Sequence, residues 1–71
     1  MNRNEFMDVL KNKLNKLPKE EFENAIKYYE EYFDEAGSEN ENKVIEELGS
    51  PYAVSSQIIA EFTLKKPLRY V

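Results

Sequence analysis

Punctuation constrains this chain more than any other feature: each apolar stripe with a helical period runs into a residue that stops a helix. Phe6, Leu10, Leu14 and Leu17 recur at four, four and three residues, one face of a 3.6-residue period. Pro18 follows, which cannot continue a helix but suits the first position of a new one. Phe22, Ile26, Tyr29, Phe33 and Ala36 form the second stripe and Gly37 ends it. Val44, Ile45 and Leu48 stop at Gly49, and Val54, Ile58, Ile59 and Phe62 run out into Lys65-Lys66-Pro67. The pattern is helical nearly throughout, and it predicts an all-α fold of four short helices.

Local signals place the helix ends. Asn2 with Glu5 is an Asn variant of the capping box, and Ser38 with Glu41 has the S-x-x-E spacing of another, predicting a third helix from near Glu39. Glu20 and Glu21 suit the positive end of the second helix dipole, and Glu23 with Lys27 form a favourable i,i+4 pair. Gly37 is placed to take the left-handed conformation that ends the second helix. Ser50 caps a fourth helix with Pro51 at its first position. The expected architecture is a compact bundle. Its first two helices form an antiparallel hairpin through Lys16-Leu17-Pro18, and two shorter ones fold across it.

Seventy-one residues make one domain. A domain of this size buries only about 60% of its unfolded-chain surface, so stability is marginal unless a partner or second copy covers more. Cysteine, histidine and tryptophan are absent. That removes disulfides, thiol nucleophiles, imidazole bases and ordinary zinc sites. Paired carboxylates abound, but a catalytic pair needs a concave, partly dry pocket, for which four short helices leave little room. A calcium loop starting at Asp34 fails too, with Ala36 and Ser38 at ligand positions and Ile45 where a bidentate Glu belongs. The expectation is a non-enzymatic chain without cofactor or metal. Its N-terminus leads into an amphipathic segment rather than a signal peptide. The uncharged run over Gly49 to Ala60 is too short to span a bilayer, which takes about 20 residues. The chain reads as soluble and cytoplasmic.

A net charge of −4 hides an asymmetry: +3 over residues 1–19, −9 over 20–48 and +2 over 49–71. The turn ELGSPYAVSSQI (47–58) has the outline of a DNA-binding helix pair. Its second helix, however, carries no Lys or Arg before Lys65, and only Gln57 has a base-reading side chain. Glu39, Glu41, Glu46 and Glu47 on the preceding segment repel phosphates, so nucleic-acid binding is disfavoured. The bundle-corner reading fits better.

Glu30, Glu31, Asp34, Glu35, Glu39 and Glu41 form an acidic cluster that reads either as a solvated face or as a docking surface for a basic partner helix. Only Arg3 is well placed to offset it. Tyr28 and Tyr32 lie i,i+4 beside the main stripe of the second helix, in a row that Ala25 extends. Half-buried phenols suit interfaces. The alternative is that the second helix sits centrally and buries both strips. Tyr28, Tyr32, Glu31 and Glu35 are the candidate partner-binding residues.

The segments EFMDVLKNKLNKLPKEE, YYEEYFDEAG and VIEELGSPYAV together resemble the HAAS-type domain found at the N-terminus of bacterial membrane proteins. The likeness runs from about Asn4 to Ile59. It implies a helical signalling domain on the cytoplasmic side of the membrane, usually followed by membrane spans, and a PadR-like transcription regulator as partner. On that reading residues 1–64 are the interaction domain. Residues 65–71, with Lys65, Lys66 and Arg69, are a basic tail on the cytoplasmic flank of a span in a longer parent protein. The competing functions are a DNA-binding helix-turn-helix and a self-association domain forming a homodimer.

Overall fold

Helix α1 (Arg3–Lys13) begins at a closed capping box: Glu5 N–H donates to Asn2 Oδ1 at 2.9 Å, and Asn2 N–H donates back to Glu5 Oε1 at 3.2 Å. The structure, a computed structural model, describes residues 1–65. Among them the fold is all-α, with α2 (Lys19–Ala36), a single 3-10 turn (Ser38–Asn40), α3 (Glu41–Leu48) and α4 (Pro51–Lys65) following α1. The basic tail expected over residues 65–71 lies, beyond Lys65, outside the described residues.

α1 is the hub of the bundle. Phe6, Met7, Leu10 and Leu14 are all buried, and α1 packs against each of the other three helices, most extensively against α4. α2 contributes Phe33, α3 contributes Val44, and α4 contributes Val54 to the same core. The Phe6 and Phe33 rings meet edge-on, 5.4 Å between centroids, which fixes the hairpin of α1 and α2 in register. Two further buried residues, Pro51 and Ser55, sit in the first turns of α4; Ser55 Oγ is satisfied by donating to the Tyr52 carbonyl at 2.8 Å. Of the two readings left open for the second helix, the one in which it sits centrally and buries both strips is therefore not the one the fold adopts. A continuous four-residue apolar row with Met7 beside it lets the short α1 be covered from three sides. On α2 only Phe33 is fully buried, and Phe22, Ile26, Tyr29 and Ala36 are half-buried.

Several helix ends differ from the sequence reading, each for a local reason. Pro18 is the N-cap of α2 rather than its first residue; its ψ of 149° is extended. Gly37 and Gly49 both take positive φ, at 92° and 89°, but with ψ of 152° and −169°. This is the extended, glycine-specific region rather than the left-handed helical one. The Ser38–Glu41 capping box does not form. Instead Glu41 Oε1 accepts the Arg3 N–H at 3.4 Å, serving the start of α1, while Asn40 Nδ2 donates to the Ala36 carbonyl at 2.7 Å and satisfies the end of α2. Residues 38–40 become a 3-10 turn and α3 starts two residues later than expected. Ser50 does cap α4, accepting the Ala53 N–H at 3.1 Å. The Glu23–Lys27 pair stays open; the ion pair that closes among the described residues is Arg3–Asp34 at 2.8 Å.

Candidate functional site

At about 100° per residue, Tyr28, Glu31, Tyr32 and Glu35 fall within an arc of about 100° on α2. Phe33 and Ile26 lie about 150–170° from the centre of that arc, on the opposite side of the helix, in or against the core. That offset decides what the strip does. Tyr32 is half-buried against the core, whereas Tyr28 is 58% exposed and Glu31 and Glu35 are exposed. The four predicted residues are thus brought together on one outward strip, with Tyr32 as the root and Tyr28 as the open end.

The phenol rings form a connected edge-to-face set. Tyr28 stands 6.2 Å from Tyr32 and 4.8 Å from Tyr29, at interplanar angles of 64° and 87°. Such pairs hold one another's rotamers and add about 0.5–1.5 kcal/mol beyond area burial. An exposed aromatic already held by neighbours loses little freedom when a partner covers it. Burial pushes the Tyr29 phenol above its ordinary value, with Tyr28, Glu61 and Tyr32 adding in the same direction. Tyr29 therefore stays neutral well into the alkaline range.

Tyr29 also shows what the sequence reading missed. Tyr28 and Tyr29 form one wall of a groove of about 490 Å³ whose other wall is α4, through Ile58, Glu61 and Phe62. Glu21, Asn24 and Ala25 continue the α2 wall toward Leu17. Ile59, placed by its spacing on the apolar stripe of α4, is corrected: it is 39% exposed, and Leu64 is 80% exposed. α4 is apolar around most of its circumference, so a single stripe cannot be read from it, and packing on α1 covers only one side.

The distal end of the hairpin is tied by Arg3, as its position suggests. Its guanidinium pairs with Asp34 at 2.8 Å, donates to the Glu30 carbonyl at 3.1 Å, and lies 5.6 Å from the Phe33 ring centroid. One cation thus offsets the C-terminal end of α2, where the dipole disfavours Asp34 and Glu35. Glu31 and Glu35 remain outside this network and face solvent. At the turn read as a helix-turn-helix elbow, the described part of α4 from Pro51 to Leu64 carries no cation of its own; Lys13 of α1 lies 5.3 Å from the Tyr52 ring centroid. Among the described residues no group of His, Cys, Asp or Glu is arranged to hold a metal ion, and no helix is long and apolar enough to cross a membrane.

The family model of HAAS domains matches residues 5–57. No curated protein and no solved structure matches the chain.

Proposed function

The chain belongs to the HAAS family, and from that premise we propose that it is a non-enzymatic interaction module, the cytoplasmic part of a membrane-associated regulatory protein. Its contact surface is the outward strip of α2, with Tyr28 and Tyr32 as anchors and Glu31 and Glu35 as flanking charges. The observation that carries this reading is the exposure of Tyr28 beside an already ordered Tyr32, on a helix that gives only Phe33 to the fully buried core. Aromatic residues held in place and bordered by charge are the usual anchors of protein interfaces. The partner proposed is a PadR-like transcription regulator, approached through protein contact rather than through DNA.

Binding of such a regulator from the same genome to the full chain, measured by calorimetry, tests this. Tyr28→Ala and Tyr32→Ala each weaken the complex by about tenfold or more if these residues are anchors. Binding at wild-type strength by both variants would remove the strip from the interface. A second reading, self-association, draws on the exposure of Ile59 and Leu64 on α4. Sedimentation at several concentrations separates it, since a strictly monomeric chain excludes it.

A further inference from the structure

The groove between α2 and α4 narrows the chemistry of the partner, building on the interaction reading above. Leu17, Ala25, Tyr28, Tyr29, Ile58 and Phe62 give it an apolar and aromatic lining, interrupted on the α2 wall by the neutral polar Asn24. The ionisable side chains on its edge besides the phenols are both carboxylates, Glu21 of α2 and Glu61 of α4, one on each wall and both exposed. From Glu21 to Tyr29 the α2 wall runs about 12 Å, close to the span of about 10.5 Å covered by positions i to i+7 of a docked helix. A volume of about 490 Å³ takes a short row of side chains.

We infer that this groove receives an amphipathic helical segment of a partner protein, seating an apolar i, i+3/i+4, i+7 ridge between the walls with Lys or Arg on its flanks over Glu21 and Glu61. Charge decides the occupant. A second copy docking groove to groove about a two-fold axis presents the same patch to itself, which sets Glu21 and Glu61 against their own equivalents. Like charges facing each other across an interface disfavour that pairing. A basic segment gains where a second copy loses. Tyr28 belongs to both the groove and the outward strip, so a helix seated here also covers the anchor of the proposed interface.

The test uses the full 71-residue chain and a fluorescein-labelled, 14-residue designed peptide with leucines at i, i+3, i+7 and lysines on both flanks, read by anisotropy. Two controls accompany it: the same composition scrambled so that no apolar face forms, and the same face with glutamates replacing the lysines. The expected result is saturable binding of the basic amphipathic peptide alone. Glu61→Lys weakens it about tenfold or more, whereas Glu46→Lys, an equal change in net charge on α3, has less than about a twofold effect. Equal loss in the two variants, or equal binding of the scrambled peptide, means attraction by net charge and overturns the inference. So does a concentration-dependent dimer altered by Glu61→Lys, which makes a second copy the occupant. Tighter peptide binding by a Lys66→Glu/Arg69→Glu variant also overturns it, by making the chain's own tail the occupant. The regulator assay keeps the two claims apart. Regulator binding lost in Glu31→Lys/Glu35→Lys but untouched in Glu21→Lys/Glu61→Lys leaves the outward strip standing and removes the groove.

Discussion

Arg3→Ala is the substitution whose consequences the structure specifies most fully. Three contacts disappear with the guanidinium: the ion pair to Asp34, the hydrogen bond to the Glu30 carbonyl and the cation–π contact to Phe33. Asp34 is 65% exposed, so the ion pair contributes only about 0.2–1 kcal/mol. The charged hydrogen bond to Glu30, part-buried, adds roughly 1.5 kcal/mol and the contact with Phe33 about 0.5–1 kcal/mol. Because they share one side chain these are not additive, and a loss of about 2 kcal/mol is the expected total. For a domain of 71 residues, whose total stability at about 0.05–0.15 kcal/mol per residue is roughly 4–11 kcal/mol, that is a large fraction. Thermal unfolding followed by circular dichroism should fall by about 8–16 °C. Asp34→Asn isolates the ion pair. It should cost under about 1 kcal/mol, reduced further because a neutral side chain relieves the C-terminal end of the α2 dipole. If Asp34→Asn destabilises as much as Arg3→Ala, the reasoning is wrong: the ion pair, not the carbonyl and ring contacts, ties the hairpin.

Three other outcomes follow from local geometry. Ser50→Ala removes the α4 cap and should cost about 1 kcal/mol, whereas Ser38→Ala, whose side chain caps nothing, should be nearly neutral; denaturant midpoints compare them directly. Gly49→Ala meets no atom within 4 Å but forces a side chain into positive φ, so it should cost about 1–3 kcal/mol, and Gly49→Asn should not rescue it because ψ lies outside the left-handed helical region. Tyr29 carries a folded-state pKa above its unfolded value of 10.0, so the unfolded chain loses this proton first. The neutral phenol's contribution is complete below pH 10, and stability falls as pH rises through the folded-state value. Ultraviolet titration of phenolate should show a late-ionising tyrosine that vanishes in Tyr29→Phe.

Much of the fold was legible because the breakers and the stripes agree. Phe6, Leu10 and Leu14 are buried as their spacing implies, and Asn2, Ser50 and Gly49 mark helix ends where expected. The misread positions are those settled by partners far away in sequence. Glu41 sits three residues from Ser38, which reads as a cap; in the fold Arg3 N–H lies within its reach, and a contact across 38 residues displaces the local one. Which helix is central was not legible either. α2 has the longer stripe, yet the shorter α1 is covered by three neighbours, and periodicity reports faces rather than neighbours. On the candidate surface, Tyr28 and Tyr32 were visible as an i,i+4 row. The groove was not, because its second wall is Ile58, Glu61 and Phe62 on α4, whose nearly all-round apolarity hides which side packs.

Chemical-shift mapping of the isotope-labelled full chain during titration with the PadR-like regulator tests the proposed surface most directly. The perturbed amides should concentrate in α2 from Tyr28 to Glu35, with Glu21 to Ala25 of α2 and Ile58 to Phe62 of α4 joining if the groove is filled. Perturbations confined to the α3–α4 corner around Gly49 to Gln57, with residues 28–35 unmoved, would contradict it.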